Sequence, residues 1–309
     1  MAGCPTGTVQ AMNNLLDSRG NQSRPGSQGL SQTGTSRQDA LDKTLSFLIF
    51  LDSIQTANLP NIGEVITANE INLCLTIQAF QEAVHSQSYS YMLDSFCSPD
   101  QRTEILYQWK EDPRLLKRNE FIGGLYNEFI EQRTPVQLMK TLIANYILEG
   151  IYFYSGFMFF YNLGRMGLMP GSVQEIRYIN RDENTHLWLF RSMILELRKE
   201  EPQLFTPERE QLYREMLKQG VEEEIEWGCA ILGDEIPGLN KTMIRDYIRY
   251  LGNLRAKAIH LEILYPGEEE EPASMKWVSQ YANANLIKTD FFEARSSAYA
   301  KASALKDDL

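Results

Sequence analysis

SVQEIRYINRDENTHLWLFRSMILELRK, residues 172–199, is a long segment whose apolar side chains recur at the spacing of an α-helix. Ser172 and Glu175 form a capping-box pattern ahead of the apolar run, which is a typical start of a helix. A helix of about thirty residues is roughly 45 Å long, and the usual globular helix has only about three turns. The segment therefore predicts a bundle of unusually long helices.

The same signals recur along the chain on both sides of this segment. Thr67 and Glu70 open a run to about Phe96, and Thr134 with Gln137 and Pro135 opens one to about Gly164. Ser98-Pro99 and Thr206-Pro207 open two further helices. No alternating strand pattern competes with them. The sequence predicts an all-α fold.

Composition limits the classes of function. The chain has 309 residues, a formal net charge of −11 and 43% hydrophobic residues, which is typical of an ordered globular protein. An acidic surface repels a polyphosphate backbone, so we expect no nucleic-acid partner. Residues 1–35 are rich in Gly, Ser, Gln, Asn and Thr without an apolar period, which indicates a disordered tail.

Neither the membrane nor an oxidising compartment is indicated. The apolar run from Leu142 to Phe160 is long enough to span a bilayer, but Asn145 and Glu149 lie near its middle. We interpret it as a buried helix and expect no membrane association. Four cysteines without C-x-x-C spacing fit free thiols and a cytoplasmic location.

Two of the three histidines close a Glu-x-x-His motif, Glu82 to His85 and Glu183 to His186. A spacing of three places both side chains on one face of a helix, so they can bind the same or adjacent metal ions. One such motif is common by chance and is usually a surface feature. Two copies that use most of the available histidine predict a two-metal site.

Two further carboxylates lie in strongly apolar surroundings, Asp52 and Glu149. Taken singly, Asp52 could be a polar residue at a helix end and Glu149 a residue at an interface. An uncompensated buried carboxylate is costly, and a cation removes that cost. Together with the two motifs, they match the ligand pattern of ferritin-like proteins that bind two iron or two manganese ions. Carboxylate and imidazole ligands without thiolate suit either metal.

Tyr89 follows His85 by four residues and is therefore expected beside the metals. The plain alternative is one more core aromatic. Phe153 and Phe157 follow Glu149 at helical spacing, and Ile179 precedes Glu183 by four residues, so these apolar side chains predict a dry pocket. A tyrosine in such a pocket can serve as a one-electron donor.

From about Ser36 to the C-terminus, the sequence resembles the small, radical-generating subunit of class I ribonucleotide reductase. The resemblance is carried by the motifs LDSIQ at 51–55, EAVHSQSY at 82–89, LEGIYF at 148–153 and RDENTH at 181–186. It implies a ferritin-like domain over residues 36–290 and a tyrosyl radical on Tyr89. It also implies the radical-pocket residues Phe153, Phe157 and Ile179, and six metal ligands: Asp52, Glu82, His85, Glu149, Glu183 and His186.

The resemblance further implies roles outside the metal ligands. Asp182 is expected to orient a ligand histidine. Tyr299 is expected to bridge to the large subunit from a flexible tail, residues 291–309, that docks there. The implied assembly is a homodimer that works with the large subunit as a ribonucleoside-diphosphate reductase. Two iron ions are the first expectation, with two manganese ions as the alternative.

Other functions stay open at this point. A ferritin-like oxidase or desaturase would use the same ligands without needing Tyr89, and an iron-storage protein would be much shorter. The first tryptophan is Trp109, whereas the resembled family has one in a helical segment before its aspartate ligand. A metal-binding paralogue inactive in radical transfer, because of its altered N-terminus, is therefore a further alternative.

Overall fold

The computed structural model describes residues 35–234 and 236–282, and no strand occurs within these ranges. The prediction of an all-α fold with long helices is confirmed. The predicted tails, including Tyr299, lie outside the described residues, so the proposed domain boundaries stay predictions. The α-helices are α1 Thr35–Gly63, α2 Asn69–Phe96, α3 Pro99–Tyr107, α4 Pro113–Glu131, α5 Pro135–Ile147, α6 Tyr154–Arg165, α7 Pro170–Glu200, α8 Pro207–Leu232, α9 Lys241–Ala258 and α10 Lys276–Ala282.

Four long helical segments, α1, α2, α5 with α6, and α7, enclose the centre of the bundle. α1 packs along α2, α5 and α6 pack along α7, and α2 also contacts α7. α8 and α9 pack against each other; α8 also packs against α5, and α9 packs against the segment between α5 and α6. Full burial of a large apolar side chain contributes about 1.5–3 kcal/mol, and Phe157, Phe159 and Phe160 have no exposed surface. The middle of α6 is therefore part of the core.

Three of the five predicted helix starts have the expected cap. Ser98, Thr134 and Thr206 each accept a hydrogen bond from the backbone N–H three residues later. Proline follows each of them as the first helical residue, where its missing N–H costs nothing. Local sequence alone thus determines these three boundaries.

The predicted caps at Thr67 and Ser172 are wrong. α7 begins at Pro170, after Met169 in the left-handed region with φ 49°, because Pro170 is already fixed at a helical φ. α2 begins at Asn69, with no side-chain cap on Ala68. The Asn72 side chain instead donates to the Ile66 carbonyl at 2.9 Å, which fixes the connection from inside the helix.

The apolar run is interrupted by one turn of π-helix, Leu148–Tyr152, between α5 and α6. We call this segment the π-turn. Every residue from 141 to 163 is buried, so the interpretation of a buried helix holds, although the sequence predicted one regular helix to Gly164. Among the described residues, no helix combines the length and apolarity needed to cross a bilayer. The π-turn carries Glu149.

Candidate metal centre

The six predicted ligands converge at the middle of the bundle, between α1, α2, the π-turn and α7. Their exposed fractions lie between 0% and 4%. α1 contributes one ligand, α2 two, the π-turn one and α7 two; in chain order they are Asp52, Glu82, His85, Glu149, Glu183 and His186. Long-range packing, rather than sequence proximity, therefore assembles the cluster.

The ligands form two overlapping groups, and in each group one ligand atom per residue lies within 4.8 Å of all the others. Glu82 and Glu183 belong to both groups. Asp52 and His85 complete the first group, and Glu149 and His186 complete the second; this is the donor arrangement of two adjacent ions with shared carboxylates.

Both imidazoles present Nδ1 to the carboxylates. His186 Nδ1 lies 2.8 Å from Glu183 Oε2 and 3.1 Å from Glu82 Oε1. His85 Nδ1 lies 3.0 Å from Glu183 Oε1. The two ring centroids are 5.9 Å apart, so the histidines face each other across the shared carboxylates.

The outward nitrogens of the two imidazoles have separate acceptors. His85 Nε2 lies 3.4 Å from Asp182 Oδ2, and His186 Nε2 lies 3.0 Å from Gln81 Oε1. An N–H donated outward fixes the tautomer that leaves the Nδ1 lone pair free for a metal. Asp182 was expected in this position. Gln81 was not, although it directly precedes Glu82.

The Glu149 carboxylate is held from outside the cluster by two amides. Gln55 Nε2 donates to Glu149 Oε1 at 2.6 Å, and Gln78 Nε2 donates to the same oxygen at 2.9 Å. Tyr126 donates in turn to Gln55 Oε1 at 2.8 Å. These residues were not predicted from the sequence, although Gln55 and Gln78 lie one helical turn from Asp52 and Glu82, on the same helix faces.

The polar atoms that face the interior of the cluster lack hydrogen bonds, and this tests whether metal ions fit. An unsatisfied buried polar group costs about 1–3 kcal/mol, and carboxylate oxygens next to one another also repel. A divalent cation satisfies all of these lone pairs at once, so the donors fit a two-metal centre. The atoms without a hydrogen bond are Asp52 Oδ1 and Oδ2, Glu82 Oε2, Glu149 Oε2, Glu183 Oε1 and His85 Nδ1; the last two lie 3.0 Å from each other but without hydrogen-bond geometry.

Burial and mutual repulsion shift the carboxyl groups of Asp52 and Glu149 toward their protonated forms. Burial, followed by the negative charges of Glu82 and Glu183, raises the pKa of Asp52 and of Glu149 well above the ordinary range. Burial acts in the same direction on Glu183, but the two histidines outweigh it and lower the pKa of that carboxyl. Protons thus take the place of cations when no metal is bound.

The histidines respond in the opposite sense to burial. Burial lowers the pKa of His85 and His186, but the Glu183 charge and hydrogen bonds to carboxylates raise both pKa values well above the ordinary value. The carboxylates therefore attract positive charge strongly enough to overcome desolvation. Metal ions compete for that same attraction.

Tyr89 has no exposed surface, and its hydroxyl has no hydrogen-bond partner. Burial, followed by the charges of Asp52 and Glu183, raises the pKa of the phenol well above its ordinary value. Phe153, Phe157 and Ile179 are also buried, and the two phenylalanine rings stack with centroids 5.8 Å apart. The tyrosine is therefore a neutral phenol in apolar packing near the carboxylates.

Comparison with known proteins gives one consistent result. The model of the family "Ribonucleotide reductase, small chain" matches residues 31–272. The ribonucleoside-diphosphate reductase subunit beta of Treponema pallidum is 72% identical over 270 residues, which cover 87% of this chain and 77% of the relative. The subunit beta of Halalkalibacterium halodurans is 40% identical over 267 residues, which cover 86% of this chain and 77% of the relative.

A solved structure agrees with the sequence relatives. The ribonucleotide reductase R2 subunit from Clostridium botulinum is 46% identical, superposes with a TM-score of 0.81, and the match covers 84% of this chain and 81% of that one. Fold, buried carboxylate–histidine cluster and relatives all agree with the motifs in the sequence. The chain therefore belongs to the ribonucleotide reductase small-chain family and is the small subunit of this oxidoreductase.

Proposed function

We propose that the cluster holds two metal ions, one bound by Asp52 and His85, the other by Glu149 and His186, with Glu82 and Glu183 shared. The observation that carries this proposal is the pair of overlapping four-residue ligand groups. The donors are oxygen and imidazole nitrogen, which suit iron and manganese. Two iron ions are our first assignment, and two manganese ions are the alternative.

We assign Tyr89 as the residue that carries the radical. A reduced pair of such metals supplies, through its reaction with oxygen, a one-electron oxidant inside the protein. Tyr89 would give one electron to that oxidant and its phenolic proton to a base at the cluster, and would so become a neutral radical. Its complete burial, and the apolar side chains of Phe153, Phe157 and Ile179, support a long lifetime because water and reductants are kept away.

The next step in our proposal connects this site with the large subunit. The contact of Asp182 with His85 supports a role for Asp182 in orienting that histidine. We propose that the tail at residues 291–309 docks on the large subunit and that Tyr299 bridges the two chains. The large subunit would then reduce ribonucleotides to deoxyribonucleotides.

We also propose that the chain forms a homodimer in the cytoplasm. α2 exposes Leu73, Ile77 and Phe80, which are 67%, 59% and 54% exposed and lie at helical spacing on one face. Such an apolar stripe supports packing against a second copy. Free thiols at Cys74, Cys97 and Cys229 fit a reducing compartment.

The decisive experiment compares the wild type with Tyr89→Phe after loading with ferrous iron and exposure to oxygen. The Tyr89 hydroxyl has no partner, so its removal leaves no orphaned group, and the variant is expected to fold and bind iron normally. We expect a tyrosyl electron-spin signal in the wild type. In Tyr89→Phe we expect this signal to be lost, and we expect nucleotide reduction after mixing with the large subunit to be lost as well. A signal that persists in Tyr89→Phe contradicts the assignment.

A further inference from the structure

Two backbone groups at the end of the π-turn have buried side-chain partners. The Tyr152 carbonyl accepts a hydrogen bond from Arg118 Nη2 at 3.2 Å, and the Ser155 N–H donates to Glu224 Oε1 at 2.8 Å. A π-turn interrupts the regular hydrogen-bond ladder of a helix, and buried backbone groups around such an interruption need partners. Arg118 and Glu224 supply one partner on each side of the junction with α6.

The same two side chains form a buried ion pair. Arg118 Nη2 lies 2.5 Å from Glu224 Oε2, and the exposed fractions of the two side chains are 1% and 0%. The guanidinium also lies 4.1 Å from the ring centroids of both Phe47 and Tyr152. Because Arg118 belongs to α4 and Glu224 to α8, the pair ties two neighbouring helices to the π-turn.

Stability alone is a weak reason for such a pair. Apolar residues of similar volume often stabilise a core as well as a buried ion pair does, since the pair loses its hydration. What apolar residues cannot supply is the fixed donor to the Tyr152 carbonyl and the fixed acceptor for the Ser155 N–H. The geometry thus gives the pair a local use at the segment that carries Glu149.

A second arginine holds the other side of the π-turn. Arg255 Nε donates to the Gly150 carbonyl at 3.2 Å, and Arg255 Nη2 donates to the Tyr154 hydroxyl at 2.9 Å. A side chain at position 150 would meet Arg255, because a Cβ there would lie 3.0 Å from Arg255 Nε. Glycine therefore permits the close approach, and the π-turn is anchored from both directions.

We propose that the buried Arg118–Glu224 pair, together with Arg255, keeps Leu148–Tyr152 in the π-helical conformation and thereby places the Glu149 carboxylate in the metal cluster. These are positioning residues, since none of them reaches the cluster itself. The proposal rests on the assignment of Glu149 as a metal ligand. If the π-turn relaxed to an α-helix, successive side chains would be rotated by about 100° about the helix axis. The Glu149 side chain would then point away from its present direction.

The test uses the full chain and the double variant Arg118→Met/Glu224→Leu, which removes both charges together and leaves no lone buried ion. The matched control is Arg198→Met/Glu210→Leu. Arg198 likewise contacts a glutamate, donates to a backbone carbonyl, that of Ile259, and lies over an aromatic ring, that of Phe205. This pair lies away from the π-turn.

Two measurements are independent of enzyme activity. Competition with a chelator gives the affinity for Mn(II) and Fe(II), and hydrogen exchange of the metal-free chain reports protection of the amides from 148 to 155. We expect the variant at the π-turn to unfold cooperatively, to bind metal at least about tenfold more weakly and to exchange these amides faster. The control should match the wild type in both measurements.

The outcomes separate this inference from the assignment of Glu149. If Glu149→Gln binds metal as the wild type does, the ligand assignment fails. If Glu149→Gln loses metal but the folded double variant retains wild-type affinity and protection, only the positioning proposal is overturned. If the double variant does not fold, Arg118→Lys decides. Arg118 Nη2 alone donates to both Glu224 and the Tyr152 carbonyl, and a lysine keeps the charge but ends one bond short of that position. Wild-type affinity in Arg118→Lys overturns the proposal.

Discussion

His85 and His186 each use one ring nitrogen toward the carboxylates and the other toward an acceptor on a helix. The acceptors differ, because Asp182 is a charged carboxylate and Gln81 is a neutral amide. A charged acceptor increases the basicity of the imidazole more than a neutral one. As the proposed metal ligands, the two histidines are therefore unequal, although both close a Glu-x-x-His motif.

This inequality predicts the result of Asp182→Asn. The substitution replaces the charged acceptor of His85 by a neutral group, so we expect metal affinity to fall by about tenfold, with the fold retained. Isothermal titration with Mn(II) measures the change. Hydrogen bonds from His85 and Arg181 outweigh burial and keep the pKa of Asp182 low, so the wild-type acceptor is ionised at neutral pH.

Asp246→Asn is the control for this prediction. Asp246 Oδ1 accepts a hydrogen bond from the preceding Arg245 at 2.9 Å, much as Asp182 accepts one from Arg181 at 3.0 Å. Unlike Asp182, Asp246 has no hydrogen bond to a residue of the carboxylate–histidine cluster. Its substitution should leave affinity unchanged. Equal losses in both variants would mean that the adjacent arginine pair, and not the contact with His85, is responsible.

At the scale of single residues, the sequence predicted which six side chains converge in the buried cluster, but it did not predict all of the residues that support them. Two Glu-x-x-His motifs, Asp52 and Glu149 all lie in the cluster, because charged residues in apolar surroundings are rare and conspicuous. Gln55, Gln78 and Gln81 were missed because a glutamine in a helix has no comparable signal. Their function is visible only when the partners from other helices are in place.

At the scale of helices, the close approach of α8 to α5 depends on Gly220. A Cβ at this position would lie 2.4 Å from Ile147 Cγ2, whereas a Cβ at Gly124 in α4 would meet nothing within 4 Å. The two positions are therefore a matched pair in which the same substitution has opposite expected effects.

We expect Gly220→Ala to reduce the free energy of unfolding by about 1–3 kcal/mol through overpacking. Gly124→Ala should increase it by about 0.5–1 kcal/mol, because alanine restricts the unfolded chain and favours helix. Urea unfolding of the metal-free chain measures both. Destabilisation of similar size in the two variants would contradict the packing argument.

Helix boundaries were predictable where a side-chain cap and a proline coincide, as at Ser98, Thr134 and Thr206. They were not predictable where a side chain from inside the helix fixes the connection, as near Thr67, where Asn72 donates to the Ile66 carbonyl. The π-turn also had no local signal, since its apolar composition suits a regular helix equally well. It becomes understandable only with Arg118, Glu224 and Arg255 in place, and these residues come from distant parts of the chain.

For the whole molecule, proton binding at the cluster links stability, metal and pH. Raised pKa values at Asp52 and Glu149 stabilise the metal-free fold below the unfolded values, near pH 4, and this contribution is lost as pH rises through the folded values. His85 and His186 act in the same direction, starting from about 6.5.

The lowered pKa of Glu183 acts in the opposite direction, but only as pH falls below its unfolded value of about 4.3. It therefore does not affect the comparison made near neutral pH.

We accordingly expect metal to stabilise the chain more at about pH 8 than at about pH 6, because fewer protons must leave at the higher pH. Each displaced proton changes the binding free energy by about 1.4 kcal/mol per pH unit. Thermal unfolding with and without Mn(II) at several pH values tests this. A metal-induced shift in Tm that is independent of pH would show that the cluster does not exchange protons for metal.

The single turn of π-helix has a genetic consequence. It accommodates about one residue more than a regular helix would need, so the loss of one codon between positions 148 and 152 would straighten the segment without breaking it. The helices on either side would keep their relative orientation, because the extra residue is absorbed within the turn, but Glu149, which lies inside it, would lose its present direction. A lineage that lost this codon would retain a stable helical protein and lose its redox chemistry in one mutational event.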